Sequence, residues 1–285
     1  MGTAAVFSGV FNPLPECPFT VMCIEVMAGL LVDHPSPPLV EFVLSGLRRG
    51  FSIGFVGPVT PTKEAPNHSA VLRRSLVTAA VVRGWRSGFL AGPFLRPPFP
   101  QFHCSPIGAA DKPDGSARLL LDLSSPRGDS INEGIDAEFF SVHYSSFDDA
   151  VVVLRRLGRG AFMAKFDLKH VFWLCPVRRT DWPLLCFLRE SSYFVHVALP
   201  FGSRSSPSIF NRFAQVLWWL LSEVGSVENL IHYLDDFFFA SAAIEVGRRD
   251  LRQPWSFVLA WVFLFSGEVP AACSADGVPG HPVGC

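Results

Sequence analysis

A chain of 285 residues has material for one large domain or two smaller ones. With 49% hydrophobic and 17% charged residues, including 27 Phe and 7 Trp, it is neither a disordered nor a collagen-like chain. The net charge of −1, from 24 Lys+Arg against 25 Asp+Glu, gives no global attraction to nucleic acid, so any such case must rest on local sites.

The longest apolar run, residues 255–265, is well short of the roughly 20 residues a membrane-spanning helix needs. The apolar stretch at 17–32 contains Glu25 and follows no basic segment, which argues against a secretory signal. The expected location is therefore intracellular, cytoplasm or nucleus, with no membrane partner. The cysteines (17, 23, 104, 175, 186, 273 and 285) contain no C-x-x-C pair, so buried free thiols are expected, with no disulfide framework or zinc site.

Residues 1–66 carry proline-rich breaks ("HPSPPL", "VTPTKEAP"), and neither a trustworthy period nor a role is read there. From 69 to 85, Val71, Leu72, Leu76, Ala79, Ala80 and Val82 are spaced as one face of a helix. Proline density at 92–106 forces an extended connection. In "SPIGAADKPDGSARLLLDLS" (105–124), Pro113-Asp114-Gly115 is turn chemistry between two strands, a hairpin carrying Lys112 and Arg118. "SSFDDAVVVLRRLGRG" (145–160) has the marks of a helix: Ser146 with Asp149 as a cap, Arg155 and Arg156 in the last turn, and Gly158 beyond.

"AFMAKFDL" (161–168) is a short strand ending at Asp167. Two strands joined near residues 190–192 follow. A helix then begins with Ser206 as cap and Pro207 in its first turn, and stops at Gly225. Finally "IHYLDDFFFA" (231–240) reads as a strand from Ile231 to Leu234, a two-residue turn at Asp235 and Asp236, and a strand from Phe237 to Ala240. Helices alternating with hairpins imply an α+β fold with a largely antiparallel sheet.

Adjacent acids in a turn are commonly just solvated. Here the flanking apolar strands anchor the pair to a sheet, and Asp167 offers a third carboxylate at the end of another strand. Three carboxylates brought together repel and raise one another's pKa unless a divalent cation lies among them. Hard oxygen ligands of this kind select Mg²⁺ or Mn²⁺, and a pair of such ions about 4 Å apart serves in-line phosphoryl or nucleotidyl transfer. A triphosphate substrate also needs cations, which Lys112 and Arg118 can supply; solvated hairpin charges are the equal alternative.

"KFDLKHVFW", "LPFGSRSSPSIFNRF" and "HYLDDFFF", in that order, with the segment from residue 105 to "SINEGI", resemble the motifs of reverse transcriptases (RNA-directed DNA polymerases) across residues 92–240. The wording is most similar to retrotransposon enzymes of the DIRS-like and gypsy-like groups. The resemblance implies a right-hand polymerase with palm and fingers, an antiparallel palm sheet with helices on one side, and a missing thumb. Its divisions are an N-terminal region at 1–66, a fingers-like segment at 67–145, a palm-like core at 146–240 and a degenerate or out-of-frame tail at 241–285. The out-of-frame idea comes from codons for residues 260–265, whose shifted frame can spell Leu-Gly-Val-Pro.

By the same resemblance Asp167, Asp235 and Asp236 hold Mg²⁺ or Mn²⁺, and Lys112 and Arg118 bind the triphosphate. Phe172 is the steric gate against a ribose 2′-OH, Phe201 and Gly202 lie beside nucleotide and template, and Tyr233 sits at the primer terminus. Partners are a primed RNA or DNA template and deoxynucleoside triphosphates. From the residues alone, Phe172 and Phe201 are simple core aromatics. His170 and Val171 depart from the family's usual small or acidic residues. With the missing thumb, these departures imply a weak or inactive copy, and a non-catalytic nucleic-acid-binding remnant of the same fold is the alternative.

Overall fold

The computed structural model describes residues 13–16, 20, 22–63, 68–112, 115–168 and 171–242. In chain order its elements begin with helices α1 (Ile24–Leu30) and α2 (Pro37–Arg49), strand β1 (Thr62–Lys63), and helices α3 (His68–Leu72) and α4 (Arg74–Arg86). Strands β2 (Leu90–Phe94), β3 (His103–Cys104), β4 (Ile107–Asp111) and β5 (Ala117–Leu121) follow. Then come α5 (Phe147–Leu157), β6 (Phe162–Asp167), β7 (Cys186–Arg189), β8 (Ser192–His196), α6 (Ser206–Trp219), β9 (Leu230–Tyr233) and β10 (Asp236–Ser241).

Local chemistry dictates several of these. At α5 the Asp149 carboxylate accepts from the Ser146 N–H at 2.6 Å while Ser146 Oγ accepts from the Asp149 N–H at 3.3 Å, closing the reciprocal cap. Gly158, at φ 83°, ends the helix. Proline at a helix N-terminus loses no intrahelical bond, so Pro37-Pro38 opens α2 where the sequence reads as a break. Val43, Leu44 and Leu47 then form its buried stripe. The 69–85 helix is interrupted at Arg73, and its buried face is Val77, Ala80, Val81 and Trp85, leaving Val71 and Leu72 exposed.

The chain divides into two compact units, each assembled from three stretches. The first comprises Met1–Thr20, Ser45–Val142 and Phe172–Phe210. It holds a five-stranded sheet of order β1-β3-β7-β8-β2 and the separate β4–β5 hairpin. Here β7–β8 and β2–β8 pair antiparallel, while the short β1–β3 and β3–β7 pairings are parallel. The β7–β8 turn uses Glu190 and Ser191 at φ 49° and 65°, the left-handed pair that a tight hairpin needs. Trp85, Leu90, Phe187, Phe194 and Trp182 build the core, and both indoles are satisfied: Trp85 Nε1 donates to Gly92 O and Trp182 Nε1 to Val177 O, each at 2.8 Å.

The second unit comprises Val21–Leu44, His143–Val171 and Asn211–Cys285. Its sheet has the order β6-β10-β9 and is antiparallel throughout. Strand alternation gives it two unlike faces. Phe237, Phe239 and Leu230 are buried on one, whereas Asp167, Lys165 and Met163 stand exposed on the other. Helix α6 supplies Phe213, Ala214, Val216 and Leu217 to the buried side of this unit. Ser206 does not cap α6 as expected; its hydroxyl donates to Pro200 O at 2.9 Å. The helix continues as a π-turn over Leu220–Val224, closed by the Gly225 N–H to Leu220 O bond at 2.9 Å.

Among the described residues no helix is long and apolar enough to cross a membrane. Cys104, Cys175 and Cys186 are buried free thiols, as the scattered cysteines suggest, and burial pushes the Cys175 and Cys186 thiols far up.

Candidate active site

Strand pairing in the second unit decides where the three aspartates go. β6 and β10 run antiparallel with Asp167 opposite Asp236 and Phe166 opposite Phe237. β9 and β10 are joined through Leu234 and Asp235, one residue earlier than the Asp235-Asp236 turn expected, because Asp236 pairs with Tyr233 as the first residue of β10. The Leu168 N–H donates to Asp235 O at 3.0 Å, tying the end of β6 to the turn. Residues directly opposite in an antiparallel pair share a face, so Asp167 and Asp236 project from the same side of the sheet.

The electrostatics follow from that placement. Partial burial, then the charges of Asp235 and Asp236, raise the Asp167 pKa above the usual carboxylate range; a side-chain hydrogen bond with Asp235 adds to the rise. Lys165 Nζ lies 2.9 Å from Asp236 Oδ2, and that contact, with the neighbouring charges of Asp167 and Asp235, raises the lysine's pKa. As the side chains lie, no three His, Cys, Asp or Glu groups among the described residues close into a metal-binding set. The donor chemistry still suits a hard divalent cation: oxygen ligands only, carried on register-paired backbone, with excess negative charge that Lys165 offsets in part.

The turn is strained. Leu234 sits at φ 56°, left-handed backbone that a bulky non-glycine residue seldom adopts. Its hairpin neighbour Tyr233 is 53% exposed and packs on Tyr144, ring centroids 4.6 Å apart. Partial burial, Tyr233 and the Asp235 charge raise the Tyr144 pKa. Tyr144 is a residue that the motifs do not single out, since it lies in a stretch without period. A cleft of about 490 Å³ in this unit, lined by His34, Trp218, Trp219 and His232 among others, includes none of the three aspartates.

The remaining expected residues lie in the first unit, and four of them are neighbours. The Arg118 guanidinium lies over the Phe201 ring, 4.4 Å from its centroid. Phe201 packs on Phe172 at 4.6 Å, and Phe172, only 6% exposed, packs edge-on to Phe210 at 6.0 Å. Gly202 has φ 113°, and a Cβ there would fall 1.9 Å from Leu121 O. That approach permits the Leu121 N–H to Phe201 O bond at 2.8 Å. Arg118 is thus held on an aromatic face, and Phe172 has the contacts of a core aromatic. Lys112 follows β4 in the hairpin, where its N–H donates to Ser116 O at 2.9 Å and its carbonyl accepts from the Gly115 N–H at 3.0 Å.

Asn132, which lies in the "SINEGI" segment but is assigned no role from the sequence, positions this loop. Its side chain donates to Ser124 Oγ and Gly202 O and accepts from the Arg204 N–H, each at 2.8 Å. The only local signal was Glu133, whose carboxylate accepts from the Ser130 and Gly128 N–H groups.

The antiparallel β9–β10 hairpin thus sets Asp236 against Asp167 beside the turn that carries Asp235. Residues 110–263, more than half of the chain, match the reverse transcriptase (RNA-dependent DNA polymerase) family, and the chain belongs to that family. It is 27% identical over 140 residues to Polyprotein P3 of Commelina yellow mottle virus, covering 49% of this chain and 7% of that one. Its fold is similar to the foamy viral protease-reverse transcriptase dRH solved with double-stranded DNA, at 18% identity and TM-score 0.56, covering 88% of this chain and 44% of that one. The native prototype foamy virus protease-reverse transcriptase is similar at 18% identity and TM-score 0.52, with 88% and 33% covered. The chain therefore spans less than half the length of each of these relatives. The family match runs past Ala240 to residue 263. His170 and residues 243–285, where the out-of-frame tail was expected, lie outside the described residues.

Proposed function

We propose that the chain carries out template-directed nucleotidyl transfer, adding deoxynucleoside triphosphates to a primer on an RNA or DNA template. The observation that supports this reading most is the register pairing of Asp167 with Asp236 beside the turn that carries Asp235. Asp167, Asp235 and Asp236 would hold Mg²⁺ or Mn²⁺, which supplies charge neutralisation at the attacked phosphorus and the departing pyrophosphate. The chain's own groups do the rest. Arg118, its guanidinium plane fixed on Phe201, presents its N–H edges to the triphosphate together with Lys112. Phe172, wedged by Phe201 and Phe210, has little freedom to turn and serves as the gate against a 2′-OH. Gly202 keeps Phe201 in place, and Tyr233 offers an exposed ring to the primer terminus.

The motif wording supports an origin in a retrotransposon of the DIRS-like or gypsy-like kind, acting in the cytoplasm or nucleus. Primer extension by the full chain with Mn²⁺ or Mg²⁺ tests the reading. Template-dependent incorporation that Asp235→Asn abolishes is the expected result. Binding of a primed hybrid without incorporation would instead identify a non-catalytic nucleic-acid-binding remnant.

A further inference from the structure

Lys165 and Asp167 are two residues apart on β6, so strand alternation puts both on the exposed face of the sheet. The cross-strand partner of Lys165 is Phe238, two residues beyond Asp236 on β10. From there the lysine ammonium reaches Asp236 Oδ2 at 2.9 Å, with the two side chains 63% and 40% exposed. An exposed pair normally contributes little to folding. What distinguishes this one is its position: it engages one of three clustered carboxylates, and Asp236 is the register partner of another.

We propose that Lys165 is a resident counter-cation, which neutralises Asp236 when no divalent ion is bound and must swing away before an ion can take that carboxylate, so that it sets the metal affinity of the site. This rests on the reading above that the three aspartates hold Mg²⁺ or Mn²⁺. An ammonium and a divalent ion compete for the same oxygens and repel each other at short range. The flexible four-carbon stem and its solvent exposure allow the lysine to leave.

Mn²⁺ titration of the full chain, with free ion followed by its paramagnetic resonance signal, measures this without any turnover. Lys165→Met keeps most of the stem and removes the charge; it should tighten Mn²⁺ binding about threefold to tenfold, the scale of an exposed ion pair plus released repulsion. Lys165→Arg, which restores a cation, should return the affinity to near the wild-type value, and added salt should narrow the gap between the methionine variant and wild type. Unchanged or weaker binding by Lys165→Met, while Asp235→Asn abolishes binding, overturns the counter-cation role and leaves the carboxylate site standing. Equal binding by wild type and Asp235→Asn, or none by either, overturns both.

Discussion

Gly202→Ala isolates the backbone apposition that places Phe201. The substitution asks an L-residue to hold φ 113° and puts a Cβ 1.9 Å from Leu121 O, where ordinary contact begins at 3.4 Å. Strained backbone of this kind costs about 1–3 kcal/mol. Relief of the clash requires Leu121 to retreat, weakening the Leu121 N–H to Phe201 O and Asn132 Nδ2–H to Gly202 O bonds, both 2.8 Å. Each such bond is worth about 1 kcal/mol. Together the loss is roughly 3–5 kcal/mol, a fall in Tm on the order of 10 °C for a chain of this size. Gly88→Ala is the matched control: φ is 76°, yet nothing lies within 4 Å of the new Cβ, so only the backbone strain, about 1 kcal/mol, should appear. Urea unfolding of both variants followed by tryptophan fluorescence gives the comparison. Equal losses from the two glycines would refute the close approach and, with it, the account of how Phe201 is held.

Other substitutions probe the hairpin, the charges and the helix cap. Leu234→Val should destabilise by more than about 1.5 kcal/mol in urea, because a β-branched residue tolerates left-handed backbone worst, whereas Leu234→Gly should stay within about 1 kcal/mol of wild type. The raised pKa of Asp167 means the folded chain holds that proton more tightly than the unfolded chain. The associated stability is therefore present below the ordinary aspartate value near 3.9 and is lost as pH rises through the folded value. Metal-free Asp167→Asn should accordingly be more stable than wild type at pH 7 and lose that advantage at pH 3, measured by chemical unfolding at each pH. Ser146→Ala removes the acceptor for the Asp149 N–H and should cost about 1 kcal/mol, seen as earlier loss of helical circular dichroism on heating.

What could be read in the sequence was local. Ser146, Asp149 and Gly158 specify the ends of α5 within one segment, and the β4–β5 and β9–β10 hairpins declare themselves by turn residues between apolar runs. Asp167 ends β6 and Asp236 begins β10, whereas Asp235 lies in the turn, which falls at Leu234–Asp235, one residue before the Asp235–Asp236 turn that the apolar runs suggest. Helix α2 was missed because its opening prolines read as a break until one sees that they occupy the first turn. The parallel pairing of β3 with β7 joins residues about eighty positions apart, Cys104 opposite Cys186, and no periodicity names a strand's partner. Leu234 gave no glycine signal for its left-handed backbone, since the strain is imposed by pairing on both sides of the turn. Asn132 and Lys165 lie within the motif segments and Tyr144 outside them, but the contacts through which all three act join elements apart in sequence, so spacing assigned them no role.

The shared-cation claim is tested most directly by diffraction from crystals soaked in Mn²⁺, recorded at an energy where manganese scatters anomalously. The account predicts an anomalous peak about 2.2 Å from carboxylate oxygens of both Asp167 and Asp235, with the Lys165 ammonium withdrawn from Asp236. A peak bound to other residues, or none at saturating Mn²⁺ with Lys165 still on Asp236, would contradict it.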